Sequence, residues 1–361
     1  VEGLRLPLTY DECRARWRQR ADERGLSVEP HPITARGPHG QELTVDVVAL
    51  GPEQPRRALL VLSGVHGVEG FVGSQLQGDL VARVDPAALP PDVGVVLVHA
   101  VNPWGMAWWR RQNESNVDLN RNWGRSTGEP AHNDAYDLVH PLACPDTAEL
   151  PSLEVLFAQA AELIAERGAA WVRDAITTGQ YRHADGLHFG GHRTEESTAI
   201  VERVARHRLA GVERLLIVDL HTGHGPRGVV TALSDQPPGS PPDDLLRATF
   251  GRVEATVGNP DATTRVKSGP IAAGLRGLFP DAECTAATLE VGTAGDEEQL
   301  AATYQEQWVH RRGDRSRPEH RAAVWAYRRC FTPDDPEWEE AALAAGGAHL
   351  DSALAAVLGE S

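Results

Sequence analysis

Lysine, cysteine and long apolar runs are what this sequence has least of. Only Lys267 among its 35 basic side chains is a lysine, a bias that reads as coding preference, and 51 acidic residues bring the net charge to −16. An acidic chain of this kind offers no basic face for the phosphates of nucleic acid, so no nucleic-acid partner is expected. No stretch of 18 consecutive apolar residues occurs, so no membrane-spanning helix is expected. The four cysteines, Cys13, Cys144, Cys284 and Cys330, form no CxxC pair, which excludes a zinc knuckle and a dense disulfide framework. Free thiols, together with a first segment lacking the apolar core of a secretion signal, point to a cytoplasmic protein. A G-x-S-x-G elbow and a phosphate-binding loop are both missing, which argues against a serine hydrolase and a nucleotide-binding protein. There is no internal repeat, and nothing fixes an oligomeric state.

Against these absences stands a regular alternation of short apolar runs and longer helical stretches. Strands are predicted at 43–50, 58–64, 93–101, 214–220, 228–233 and 286–291. Several are apolar without alternation, as in strands covered on both faces. Helices are predicted at 10–24, 71–82, 153–167, 194–209, 243–257, 297–312 and 337–358. This order implies an α/β protein, a three-layer α/β/α sandwich around a mixed, mostly parallel sheet, with residues 1–361 as one domain. The Gly-, Pro-, Asn- and His-rich run 123–151 leaves the scaffold, and an insertion or lid is expected around 123–190.

Three predicted strands end in residues able to bind a metal, and strand C-terminal ends are where open α/β sheets place ligands. LVLSGVHGVEG carries His66 and Glu69, LIVDLHTGHG carries His221, and ATLEVGT carries Glu290. Two imidazoles and one carboxylate make a three-ligand set that leaves a fourth position open, the pattern of a catalytic Zn²⁺ site. The same set accepts Co²⁺, Ni²⁺ or Fe²⁺. His224, three residues on, would close the site as a fourth ligand. A further segment, WWRRQNESNVDLNRNW, gathers Arg110, Arg111, Asp118, Asn120 and Arg121. A guanidinium beside a carboxamide suits capture of a carboxylate, and a second guanidinium suits an oxyanion. YRHADGLHFGGHR offers His183, His188 and His192 as a second metal group, and its Gly190–Gly191 pair would let backbone approach a substrate.

Together these segments, with NPWGMAWWRRQNESNVDLNRNW and GQYRHADGLHFGG, resemble the zinc carboxypeptidase superfamily from about Leu59 to Thr293, in a bacterial branch of it. That superfamily holds the carboxypeptidase A-like peptidases and the aspartoacylase/succinylglutamate desuccinylase deacylases. The resemblance implies one Zn²⁺ held by His66, Glu69 and His221, with Glu290 as general base and then acid. It implies that Asn120 and Arg121 grip the substrate carboxylate and that Asp118 orients His66. Arg111 would polarise the scissile carbonyl, with Arg110 as its rival. The peptidases' capping tyrosine has no counterpart between His221 and Glu290, and Tyr181 precedes the third ligand but could fill a similar space. The function implied is a carboxypeptidase-like hydrolase cleaving an amide beside a free carboxylate, in a small peptide or an acylated amino acid. The alternatives are an aspartoacylase-like N-acyl amino acid deacylase, favoured by the missing tyrosine, and a non-catalytic relative that binds metal or peptide.

Overall fold

The computed structural model describes residues 6–125, 132–256 and 267–359. Eight strands form one mixed sheet: β1 (Glu29–Arg36), β2 (Glu42–Leu50), β3 (Arg57–Ser63), β4 (Val93–His99), β5 (Arg214–Gly223), β6 (Val230–Ser234), β7 (Val253–Ala255) and β8 (Glu283–Gly292). Their order is β1-β2-β4-β3-β5-β8-β6-β7. β4, β3, β5 and β8 run parallel through the centre, while β1/β2, β2/β4 and β6/β8 pair antiparallel. Helices cover both faces, giving the α/β/α sandwich expected from the sequence.

The apolar runs fail to alternate because both faces of the central strands are covered. Leu59 and Val61 of β3 join one core, with Val72 and Leu76 of helix Gly70–Arg83 and Leu350 and Ala353 of helix Pro336–Leu358. Ala58, Leu60 and Leu62 join the other, with Ile200 and Val204 of helix Glu196–Arg208 and Ile271 and Leu275 of helix Ile271–Arg276. Helix Pro336–Leu358 is long and apolar enough to cross a membrane, which the sequence reading did not anticipate. Its Trp338, Ala342 and Leu343 also lie in the first core.

Local chemistry sets the ends of elements. Thr9 and Glu12 form a reciprocal capping box that starts helix Tyr10–Glu23. Ser240 caps helix Pro241–Phe250, and Gly251, at φ +72°, ends it. The helix predicted over 243–257 therefore stops early and Val253–Ala255 joins the sheet; residue 257 lies outside the described residues. Within the 123–190 insertion, 126–131 also lie outside them. The described part folds as helices Asp134–Ala143, Leu153–Arg167 and Ala169–Thr177, then returns through a bridge between Gln180 and Phe189.

Chain direction around the sheet reverses at β3. β4 lies on one side of it and β5 on the other, so the crevice beyond the C-terminal ends of β3 and β5 is the switch point where such sheets bind ligands.

Candidate metal centre

His66 stands three residues past the end of β3, and Glu69 three residues later in the turn Gly67–Glu69. Gly67 is required there, since a Cβ would meet the carbonyl carbon of Gly105 at 2.1 Å. That close approach lets Val68 N–H donate to the Arg110 carbonyl at 2.8 Å, which sets the Arg110–Arg111 segment beside the turn. His221 lies on β5 in direct register with Glu290 on β8. Neighbours in a parallel register point to the same face, so the two side chains are brought together across the switch point.

The nitrogens of His66 and His221 and a carboxylate oxygen of Glu69 lie within 4.8 Å of one another, all three side chains buried. His66 Nδ1 and His221 Nδ1 are 3.0 Å apart, and each is 2.9 Å from a Glu69 oxygen. The outer nitrogens meet carboxylates: His66 Nε2 is 3.1 Å from Asp118 Oδ1, and His221 Nε2 is 2.8 Å from Asp219 Oδ2. With both Nε2–H groups donating outward, two Nδ1 lone pairs and a carboxylate converge with no proton between them. Three such donors converging on one point make a set suited to one metal ion. The electrostatics agree. Burial opposes charge on His221, but Asp219 and Glu69 outweigh it and raise its proton affinity well above that of an ordinary histidine. Burial likewise opposes ionisation of Glu69, yet His66 and His221 hold its carboxyl below the usual range. A divalent ion would meet the same negative potential as that proton.

Asp118 is the hub beside this set. It accepts from Arg111 Nε at 3.0 Å and from the Asn120 backbone at 2.9 Å, and its Oδ2 lies 3.1 Å from His188 Nδ1. Desolvation works against its charge, but Arg111, Arg121, His66 and His188 keep the carboxyl well below its ordinary value. Arg111 also reaches Glu69 at 3.2 Å and lines the cavity. Arg110 does not. It is buried against Glu306 at 3.0 Å, Gln307 at 2.7 Å and Asn116 at 3.2 Å, away from the metal-competent group. Successive residues outside a helix face different ways, so of the two rival arginines only Arg111 is brought to the cavity.

Asn120 and Arg121 both line the cavity. Asn120 Oδ1 accepts from Ile271 N–H at 3.0 Å, while among the described residues its amide nitrogen has no partner. Arg121 is held by the carbonyls of Asn120, Thr177 and Thr178 at 2.8, 2.6 and 3.1 Å, and its Nη1 and Nη2 each keep a second hydrogen. Tyr181 does not reach the cavity: its hydroxyl donates to the carbonyls of Arg121 and Ser268. Gly190 packs against the Tyr181 ring and the Arg121 carbonyl, so its missing Cβ serves the protein's own packing rather than approach to a substrate. Glu290 lines the cavity with Oε2 3.4 Å from the backbone N–H of His224. His224 turns its ring to Glu254 instead of joining the donor set.

The second histidine group disperses. His188 is in the cavity on Asp118, and His192 packs edge-on to Phe189. His183 lies with His140 and Asp185 within 4.8 Å, but the two rings stack with centroids 3.9 Å apart, and Arg311 already pairs with Asp185. Stacked rings cannot both direct an in-plane lone pair at one ion, so that group is a poor metal site.

Asp219 and Lys267 were given no role at the site from the sequence, and His188 was read there as a ligand of a second metal group rather than as a partner of Asp118. Asp219 was legible in principle, because residues two apart on a strand share a face with His221. His188 carries a left-handed backbone, φ +51°, a conformation no motif announces. Lys267 lines the cavity, where desolvation, helped by Arg121 and Arg111, lowers its amine to about 8.

Residues 7–345 match the protein family described as "Protein of unknown function (DUF2817)", and the chain belongs to that family. No curated protein matches the chain. Among solved structures it is similar to carboxypeptidase A from Helicoverpa armigera, with 14% identity and a TM-score of 0.47, covering 93% of this chain and 74% of that one. It is also similar to succinylglutamate desuccinylase from Chromobacterium violaceum, with 14% identity and a TM-score of 0.39, covering 81% of this chain and 71% of that one. These are likenesses of fold alone.

Proposed function

We propose that this member of the family is a metal-dependent hydrolase of the zinc carboxypeptidase superfamily, cleaving an amide bond beside a free carboxylate. The observation that carries the reading is the convergence of His66 Nδ1, His221 Nδ1 and Glu69 next to an in-register Glu290. His66, Glu69 and His221 would hold the ion, with Asp118 and Asp219 fixing the two imidazole tautomers. A divalent ion there supplies Lewis acidity, which acidifies a water and polarises a carbonyl oxygen. Glu290 accepts the proton of the attacking water and returns it to the departing amine. Arg111 stabilises negative charge developing on the carbonyl oxygen. The Asn120 amide, Arg121 and Lys267 bind the substrate carboxylate and place the scissile bond beside Glu290. An intact base in this position argues for catalysis over a binding role alone.

The test compares matched substrates on zinc-loaded protein: N-acyl amino acids and short peptides, each with a free or an amidated C-terminus. Free carboxylates should react at least tenfold faster in kcat/KM, the value of about one charge-assisted hydrogen bond, and chelation should abolish turnover. Equal rates for acid and amide would remove the carboxylate-binding role of Asn120 and Arg121. Full activity after metal removal would remove the hydrolytic reading itself.

A further inference from the structure

The cavity is much larger than the metal centre needs. Its volume is about 910 Å³, and it runs continuously from His66 and Glu290 to the helices of the 123–190 insertion. That is the upper end of what encloses a drug-sized ligand. Helix Leu153–Arg167 turns Phe157, Ala160, Ala161 and Ile164 toward this space, spaced i, i+3, i+4 and i+7 along one stripe. Helix Ala169–Thr177 repeats the spacing with Ala169, Val172, Arg173 and Ile176, of which only Arg173 is charged. Ile164 remains 41% exposed. Polar groups along the wall are turned inward: Thr177 Oγ1 donates to the Arg173 carbonyl, and Thr303 Oγ1 to that of Gln299. The same cavity carries Arg111, Asn120, Arg121 and Lys267, with Arg121 joined to the C-terminal end of helix Ala169–Thr177 through the carbonyls of Thr177 and Thr178.

We infer that this wall receives the hydrocarbon chain of an N-acyl amino acid, of medium to long acyl length, whose carboxylate lies at the Asn120–Arg121–Lys267 end. The inference rests on the function proposed above and names its substrate class. An amphiphile matches a cavity that carries both a cationic group and an apolar stripe. A peptide fits less well, because its backbone N–H and C=O groups would lie against a stripe on which, of the residues named, only Arg173 is charged and Thr177 Oγ1 is already bonded within its own helix. An acetyl group would leave most of the wall facing water.

Binding is measured by calorimetry on zinc-loaded protein carrying Glu290→Gln, so that affinity is read without turnover. The probes are N-acetyl, N-hexanoyl and N-decanoyl derivatives of one amino acid. Affinity should rise about three- to fourfold per methylene while the chain lies on the wall, and by at least about a hundredfold from acetyl to decanoyl. Ile164→Asp, at an exposed position that does not threaten folding, should flatten the series, and Ala161→Trp should shorten the preferred chain. Affinity independent of chain length would overturn the inference, as would a slope that survives both substitutions. The proposed reaction fails separately: a steep binding series with no hydrolysis by the unaltered enzyme would leave the acyl site standing and remove the hydrolase. Hydrolysis with a flat series would do the reverse.

Discussion

At the β3–β5 end of the cavity, Glu69, Asp118, Arg111 and His221 are buried or nearly so, and each is tied to at least two others in the cluster or its flanks. At the other end, helix Leu153–Arg167 keeps only Leu156 fully buried, while Leu153 and Val155 stand exposed beside Ile164. The first region spends burial on fixing charges to within hydrogen-bonding precision; the second presents apolar surface with little packing behind it. Chemistry that moves protons needs fixed geometry, whereas a surface that accepts a hydrocarbon needs only area and shape. Substitutions at the polar end should therefore be costly and specific, and those on the wall nearly free for the fold.

The sharpest test of that contrast is Glu290→Gln. Turnover should fall by about a hundred- to ten-thousandfold, the range of a lost general base. Glu290 is not one of the three converging donors, so the metal-to-protein ratio, measured by elemental analysis, should stay at one. Retained turnover would break the assignment, and lost metal would show that Glu290 belongs to the donor set.

Arg110→Met probes buried charge through stability, at the Arg110–Glu306 pair outside the cavity. It leaves Glu306 buried with, among the described residues, only Arg315, 3.3 Å away, paired to it. Stranding a buried charge costs about 3–5 kcal/mol, and the remaining arginine places the expected loss near about 3 kcal/mol. Denaturant unfolding should show a lower midpoint with an unchanged slope. Adding Glu306→Leu should recover part of the loss, because removing both charges is far cheaper than removing one. A loss below about 1 kcal/mol, the scale of an exposed pair, would mean that fixed buried charges are not costly to disturb in this protein.

How far these features were legible in the sequence follows the same division. Leu153–Arg167 was predicted to its last residue, because Ser152 and Gly168 bracket it with a cap and a φ of +88°. The central strands were legible from apolar runs covered on both faces. β1 was not: Pro30 and Pro32 speak against a strand, and an edge position is what tolerates them. Helix Pro318–Phe331 was missed because Arg317 precedes it in place of a side-chain cap. At the site, the three metal-competent residues were readable as types at strand ends. Which arginine faces the cavity was not, because Arg110 is claimed by Glu306 and Gln307, nearly two hundred residues away. Tyr181 was likewise taken up by the carbonyls of Arg121 and Ser268, partners no local pattern specifies.

The smallest effect belongs to the helix that carries the wall, on its outer side. Val155 is 50% exposed on the helix that supplies Phe157 and Ile164. Val155→Ser removes apolar surface that water already covers and leaves the Ser152 cap, which accepts from the Val155 backbone, in place. Serine and valine have similar helix propensities, so that term nearly cancels. The expected change is within about 0.5 kcal/mol, checked in the same unfolding titration as Arg110→Met. A loss of about 2 kcal/mol would overturn the comparison, since cavity-forming costs of that size arise where a side chain is packed in a core. The helix would then be held by packing as firmly as the core, and the contrast between the two ends of the cavity would fail.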